Sequence, residues 1–148
     1  VARAIDESAN IKYRNPQIKK AEIIFNEIDI DWQNPVILVE GVFDAMSVKS
    51  NSIPLFGKTI LPKLYKKIVE KKVKDIFIIL DSDAFDDAIR MTEKFVNEGI
   101  NVNFVKLDGQ DPNDLGYKKM ITKINNSLPM DFKQIMEMKL YGKKLLAN

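Results

Sequence analysis

Two groups of acidic residues each follow a run of apolar residues rich in Val and Ile. The first is Glu40-Gly41, with Asp44 three positions on, and the second is Asp81-Ser82-Asp83. Such apolar runs, bounded by polar turns, predict strands that are buried on both faces of a parallel sheet. Carboxylates at the carboxyl ends of neighbouring parallel strands are the arrangement that gathers Mg²⁺ for phosphate chemistry. The sequence therefore predicts a metal site at this edge of a sheet.

The second acidic group has a structural alternative. Asp81 and Asp83 are two apart, which on an extended chain places both carboxylates on one face, where they repel unless a cation lies between them. Asp is also common at turns between strands and helices, and Asp83 before Ala84 would make a good helix cap. Glu40 and Asp111, at corresponding strand ends, favour a composite metal site.

The segments 40–44 and 81–83 resemble the two signature motifs of the TOPRIM domain. That domain is shared by bacterial and phage DNA primases, topoisomerases, and some nucleases and recombination proteins. Three further segments narrow the resemblance to the DnaG-like primases: Lys12-Tyr13-Arg14-Asn15-Pro16, Leu55-Phe56-Gly57-Lys58-Thr59 and Gly109-Gln110-Asp111-Pro112-Asn113-Asp114. The resemblance covers roughly residues 12 to 118, with the motifs in the family's order.

The resemblance implies a Mg²⁺-dependent nucleotidyltransferase that makes short RNA primers on single-stranded DNA. Mg²⁺, which Mn²⁺ can replace, would be held by Asp81, Asp83 and Asp111, with Asp44 as a weaker candidate ligand. Asp114 would be an accessory group, because Asn113 stands where the family often has a second Asp. Glu40 would be a metal ligand or a general base. The implied partners are single-stranded DNA, ribonucleoside triphosphates and a replicative helicase, in the cytoplasm of a bacterial or phage-infected cell.

Glycines and one lysine complete the predicted site. Gly41 allows a tight turn, and the missing side chain lets substrate approach. Lys58, beside Gly57 at a predicted strand end, is the best candidate for a phosphate contact. The lysines from Lys63 to Lys74 are interpreted as a solvated helix face in preference to a phosphate-binding one.

Two other functions fit the same motifs. A TOPRIM nuclease would use the same metal cluster with water as the nucleophile, although the segments 12–16 and 111–114 favour a primase. A non-catalytic module that docks on a helicase or another replication protein is the third possibility. It gains weight because Ala84-Phe85-Asp86-Asp87 replaces the Ala-Gly and basic residue that usually follow Asp-x-Asp in primases.

Composition limits the chemistry further. The chain has 148 residues, no Cys and no His. Disulfides, thiolate zinc sites and His-based triads are therefore excluded, and we expect no zinc in this chain. The net charge of +2 does not indicate a strongly basic nucleic-acid binder.

No apolar run predicts a membrane span and Val1-Ala2-Arg3 is not a secretory signal. Because the first residue is not Met, we expect a fragment or an excised domain.

Hydrophobic periodicity predicts an α/β fold in which a mostly parallel sheet of about four strands is flanked by helices. The resemblance implies that this sheet is of the TOPRIM, Rossmann-like type. We expect a lead-in segment and helix over 1–35, the TOPRIM catalytic domain over 36–127 and a C-terminal amphipathic helix over 128–148. Predicted strands cover 36–39, 53–56, 76–80 and 102–107, the last at a sheet edge. Predicted helices cover 17–30, a stretch after Gly41, a stretch from Pro62, 84–98, a stretch from Asn113 and, after a break at Leu128-Pro129, 131–146. In the final helix Phe132, Ile135, Met136 and Leu140 form the apolar face, with Met as core filler rather than a partner surface.

Overall fold

The computed structural model describes residues 2–3, 13–14, 19–80, 84–107 and 112–141. Twelve regular α-helices and strands lie in these ranges. The strands are β1 (Ala2–Arg3), β2 (Tyr13–Arg14), β3 (Val36–Val39), β4 (Ser52–Pro54), β5 (Asp75–Ile79), β6 (Asn101–Phe104) and β7 (Leu128–Met130). The α-helices are α1 (Val42–Val48), α2 (Pro62–Glu70), α3 (Phe85–Asn97), α4 (Pro112–Asn125) and α5 (Phe132–Tyr141).

The main sheet has five strands in the order β4-β3-β5-β6-β7. The first four are mutually parallel, and β7 joins β6 in the antiparallel direction. β1 and β2 form a separate antiparallel pair. The sheet confirms the predicted α/β class, with one strand more than the sequence indicated.

Helices cover both faces of the sheet, because the central strands are apolar on both sides. On one face, Leu38, Ile78 and Phe104 belong to a cluster that includes residues of α2, α3 and α5. On the other face, Val39 and Ile79 belong to a cluster that includes residues of α1 and α4. The four residues of β3 and the last two of β5 are all buried, as expected for parallel strands between two helical layers.

The predicted helix over 17–30 is wrong over its described part. Residues 19–30 form two short 3₁₀ helices, Lys20–Glu22 and Glu27–Asp29. Between them Ile23 is extended, and Asn26 adopts a left-handed conformation with φ 54°. An α-helix cannot pass through either conformation. Ile28, predicted to face inward, is 94% exposed.

Two predictions about the end of the sheet are also wrong. β6 is not an edge strand, because β7 pairs with it through Val102 opposite Met130. The segment at Leu128-Pro129, predicted as a break, forms β7 itself. Proline is tolerated there because β7 is the edge of the sheet, where one side of the strand needs no ladder hydrogen bonds.

The C-terminal helix α5 begins close to its predicted start, and residues 142–148 lie outside the described ranges. Asp131 Oδ1 accepts the Gln134 N–H at 2.8 Å, and Gln134 Oε1 accepts the Asp131 N–H at 2.7 Å, so the two residues close a reciprocal cap. Its buried side chains are Ile135 and Met138. The predicted apolar face is therefore wrong in part: Phe132, Met136 and Leu140 are exposed.

Candidate functional site

The parallel strands bring their carboxyl ends to one edge of the sheet. The register pairs Val39 of β3 with both Pro54 of β4 and Ile79 of β5. Glu40 and Leu80 therefore leave the sheet side by side. In open parallel sheets this edge is where ligands bind. We call it the carboxyl edge, meaning Glu40 together with Leu55, Leu80 and Val105, which follow β4, β5 and β6.

Glu40 is held at the carboxyl edge by its backbone. The Leu55 N–H donates to the Val39 carbonyl at 2.8 Å, and the Gly57 N–H donates to the Glu40 carbonyl at 3.3 Å. The Glu40 side chain is half-buried, and its Oε2 atom is shielded from solvent. A carboxylate in this position is suited to bind a hard cation or to accept a proton.

Gly41 and Asp44 form the turn that follows Glu40. Asp44 Oδ2 accepts the Gly41 N–H at 2.8 Å at the start of α1. A Cβ atom on Gly41 would lie 3.0 Å from Asp44 Oδ2, so a side chain there would press on the cap. The structure thus gives Asp44 a structural role, and its assignment as a metal ligand remains a prediction.

The segment after β4 carries two unusual backbone conformations. Phe56 has φ 60° and Gly57 has φ 149°. Nothing lies within 4 Å of a Cβ built on Gly57, so the glycine is needed for its backbone and not for space. Phe56 also packs edge-to-face on Phe25, with ring centroids 6.4 Å apart. Lys58 is half-buried beside this turn.

Three of the remaining predicted ligands lie outside the described residues, and Asp114 lies within them. Asp81, Asp83 and Asp111 lie in the ranges 81–83 and 108–111, which the structure does not describe. Asp114 is exposed in the first turn of α4. Within the described ranges, no group of three or more carboxylates could hold a metal ion. Of the predicted ligands, Glu40 has the donor chemistry and burial that fit a divalent cation, whereas Asp44 is engaged at Gly41.

Asn51 is a positioning residue that the sequence did not identify. Its Nδ2 donates to the Asp31 carbonyl at 2.7 Å and to the Pro35 carbonyl at 3.0 Å, and its Oδ1 accepts the Asp31 N–H at 3.0 Å. These bonds fix the segment that enters β3, the strand that ends at Glu40. An Asn in a polar turn gives no local signal for such a role. Asn51, Asp31 and Met46 also line a cavity of about 340 Å³, whose lining residues do not include Glu40 or Lys58.

Two pKa shifts lie around α2, away from Glu40. The hydrogen bond from Lys67 lowers the pKa of Glu27 below its usual value of 4.5, and the positive charges of Lys67, Lys63 and Lys71 act in the same direction. The hydrogen bond to Glu98 raises the pKa of Tyr65 above its usual 10.0, with a contribution from burial. Lys63 and Lys67 of α2 thus form ion pairs with Glu27 of the second 3₁₀ helix, with N–O distances of 3.8 and 2.7 Å.

The fold and the carboxyl edge define an α/β protein of the Rossmann-like class, with a mostly parallel five-stranded sheet. Over 98% of its length it superimposes with a TM-score of 0.64 on a solved structure titled "Crystal Structure of the Aquifex aeolicus primase (Zinc Binding and RNA Polymerase Domains)". The sequences are 24% identical, and the match covers 40% of that chain. This likeness establishes a shared fold.

A relative found by sequence comparison is itself uncharacterized. The chain is 34% identical over 90 residues to the protein MG010 of Mycoplasma genitalium, a match that covers 55% of this chain and 41% of that protein. No family model matches the chain. The chain therefore spans about two fifths of the length of both proteins. No helix in the described ranges is both long and apolar enough to cross a membrane.

Proposed function

We propose that this chain is the TOPRIM catalytic domain of a DNA primase, which joins ribonucleotides into short primers on single-stranded DNA. The observation that carries the proposal is Glu40, a carboxylate with a shielded oxygen at the carboxyl end of an inner parallel strand. The fold around it is the one shared with the Aquifex aeolicus primase chain. The motifs at 40–44 and 81–83 supply the same indication from the sequence.

The proposed reaction depends on a divalent metal ion. Glu40 with Asp81, Asp83 and Asp111 would hold Mg²⁺ or Mn²⁺. When bound, the metal would lower the pKa of the attacking 3′-hydroxyl and stabilise charge on the α-phosphate and on the leaving pyrophosphate. A carboxylate at Glu40 can serve as a ligand or as the base that accepts the hydroxyl proton.

Two residues close in sequence to the carboxyl edge, Gly41 and Lys58, would help to position the substrate. Gly41 has no side chain, so it would let a phosphate of the substrate approach the backbone beside Glu40. Lys58, held beside the Gly57 turn, would contact a phosphate of the incoming nucleotide. The lysines of α2 are less suited to bind template, because Lys63 and Lys67 are paired with Glu27. Template binding should accordingly be weak and salt-sensitive.

One gel assay tests the reaction. Wild type and Glu40→Gln are incubated with single-stranded DNA, labelled ribonucleotides and Mg²⁺ or Mn²⁺, and synthesis and degradation are read together. We expect new RNA from the wild type and at least a hundredfold less from the variant, since general acid–base groups contribute about 10² to 10⁴ in rate. The matched control is Glu70→Gln, which changes an exposed carboxylate on α2.

The other outcomes identify other functions. Loss of the DNA in place of RNA synthesis would establish a nuclease. A protein that does neither is tested for metal by thermal unfolding, because a ligand that binds the folded state raises the melting temperature. Failure of millimolar Mg²⁺ or Mn²⁺ to raise it would refute both enzymatic functions for this chain and leave the interaction module.

A further inference from the structure

The chain segment that contains α4 leaves and re-enters the sheet at the carboxyl edge. β6 ends at Phe104, and β7 begins at Leu128, directly opposite Phe104. The segment between them therefore starts and returns at the end of the sheet where the parallel strands finish. α4 also packs against α1, the helix that begins two residues after Glu40. The surface of α4 thus borders the candidate site.

Gly116 interrupts α4 and makes Tyr117 the first residue of its second helical stretch. Gly116 has φ 70° and ψ 163°, values outside the α-helical region. Tyr117 is three residues before Met120 and seven before Ile124, so the three side chains lie along one face. Met120 and Ile124 are 1% and 8% exposed, whereas Tyr117 is 46% exposed. The Tyr117 ring therefore continues the buried face of α4 beyond the apolar cluster and reaches solvent.

The charges that follow this ring are all positive. Residues 117–130 contain Lys118, Lys119 and Lys123 and no acidic residue. Lys118 and Lys119 are exposed, and with the residues that the structure describes neither of them forms an ion pair. The lysines of α2 differ, because Glu27 pairs with two of them. The exposed face of α4 is therefore suited to attract an anionic polymer.

We propose that Tyr117 stacks on a base of single-stranded DNA while Lys118 and Lys119 bind its phosphates, so that α4 holds the template at the carboxyl edge. The inference rests on the proposed function, which requires a single-stranded template, and it names where that strand is bound. An exposed aromatic ring beside lysines is the combination by which proteins bind unpaired bases with little sequence preference. A duplex offers the lysines the same phosphates but keeps its bases stacked on one another, so the ring favours a single strand.

An oligonucleotide-binding assay tests the stacking. Fluorescence anisotropy of a labelled oligothymidylate is measured at low salt without divalent metal, so that the metal site plays no part. We expect Tyr117→Ala to raise the Kd about five- to hundredfold, the usual effect of removing one stacked aromatic side chain. Tyr117→Phe keeps the ring and should stay within about twofold of the wild type. The matched control is Tyr141→Ala, at a tyrosine of α5 that is 63% exposed, which should leave the Kd unchanged.

A strand without bases separates stacking from a structural role. A synthetic abasic oligonucleotide carries the same phosphates but no bases, so Tyr117→Ala and the wild type should bind it equally. The double variant Lys118→Gln with Lys119→Gln should weaken binding to both strands. It should also reduce the slope of log Kd against log salt concentration by about 1.4, since each single-strand phosphate contact contributes about 0.7. Its control is Lys133→Gln, at an exposed lysine of α5, which should leave the slope unchanged.

Three results would overturn the proposal. One is a wild-type chain that does not bind the oligothymidylate at low salt, or that binds a duplex of the same length equally well. Another is a Tyr117→Ala variant with the wild-type Kd. The third is a Tyr117→Ala variant that loses as much affinity for the abasic strand, because Tyr117 would then support the fold and not contact a base. A chain that stacks on DNA but makes no RNA would instead contradict the proposed function alone.

Discussion

At the scale of single residues, the turn after Glu40 shows how the backbone of the candidate site is built. Asp44 caps α1 through the Gly41 N–H, and the missing side chain of Gly41 makes room for that carboxylate. The two residues should therefore be energetically coupled. Helix caps of this kind stabilise a protein by about 0.5–2 kcal/mol.

A double-mutant cycle measures this coupling. We expect Asp44→Ala to lower the free energy of unfolding by about 1 kcal/mol through loss of the cap. Gly41→Ala should also destabilise, because its Cβ displaces the Asp44 carboxylate. With Asp44 already replaced by Ala, Gly41→Ala should cost less than in the wild type, since the contact with the Asp44 carboxylate is gone, φ −118° suits any residue and only the poorer fit of alanine at a helix N-cap remains. Urea unfolding of the four proteins gives the values, and additive losses would contradict the coupling.

Glu27 supplies a pH-dependent contribution to stability. Its pKa is lower in the folded protein than its usual 4.5, so the contribution is present above that pH and is lost as the pH falls. Glu27→Gln should lower the free energy of unfolding at pH 7 by a few tenths of a kcal/mol, up to about 1. The difference from wild type should shrink as the pH falls from 7 through the lowered pKa of Glu27, and it should vanish once the carboxyl is protonated in both the folded and the unfolded states.

The control for Glu27 is Glu22→Gln. Glu22 pairs with Lys19 at 3.5 Å, but both side chains are largely exposed, so little stability is expected from the pair. Urea unfolding of the wild type and both variants, at pH 7 and at acidic pH, measures the free energies of unfolding to be compared. Equal effects of the two substitutions at pH 7 would show that the contacts of Glu27 with α2 contribute nothing specific.

At the scale of elements, the sequence predicted those strands and helices whose formation depends on residues close together in the chain. The buried strand over 36–39 and the helix from Pro62 were predicted with their observed starts, because an apolar run and a proline at the first helical turn are local signals. The helix predicted over 17–30 failed because helical spacing of a few apolar residues does not stabilise a short helix without packing. β7 was missed because its three residues become a strand only by pairing with β6.

In the candidate site, too, the sequence located a residue that follows a clear local signal and missed roles that depend on distant contacts. The sequence located Glu40 at a strand end because the apolar run before it is unambiguous. It could not reveal that Asp44 caps α1, since a carboxylate three residues after glycine fits a ligand and a cap equally well. Nor could it reveal Asn51, whose partners at Asp31 and Pro35 are distant in sequence. Metal binding by Asp81, Asp83 and Asp111 stays a prediction, because these residues lie outside the described ranges.

Helix α3 contains a buried hydroxyl that has no hydrogen-bond partner among the described residues. Thr92 is fully buried, and its Oγ1 atom makes no hydrogen bond within the described part of the chain. A buried polar group without a partner costs about 1–3 kcal/mol. Thr92→Val replaces the hydroxyl by a methyl group of similar size, so we expect a gain of about 1 kcal/mol in the free energy of unfolding.

Thr122→Val is the matched control for this substitution. Thr122 is exposed on α4, and its hydroxyl donates to the Lys118 carbonyl at 3.1 Å. We expect a change within about 0.5 kcal/mol there, as is usual for surface positions. Chemical denaturation of both variants provides the comparison. A loss of stability in Thr92→Val would mean that the hydroxyl has a partner, such as a bound water.

At the scale of the whole molecule, the C-terminal elements complete the fold that carries the candidate site. β7 supplies the fifth strand, and α5 packs against α3. Met130, Ile135 and Met138 belong to the same buried cluster as Phe95 of α3 and Ile78 of β5. That cluster lies on one face of the strands that end at the carboxyl edge, so packing at the C-terminus bears on the position of Glu40.

Deleting residues 128–148 tests how far this dependence goes. The deletion exposes the β6 edge and removes three buried side chains from the cluster, each of which contributes about 1.5–3 kcal/mol by burial. Because domains of this size are stable by only about 5–15 kcal/mol, we expect the shortened chain to be largely unfolded or aggregated. Deleting only residues 142–148 leaves β7 and α5 in place and should preserve cooperative unfolding. The two chains are compared by near-ultraviolet circular dichroism and urea unfolding. A chain ending at Ser127 that unfolds cooperatively with wild-type stability would show that residues 128–148 are a separate appendage to the sheet rather than part of its core.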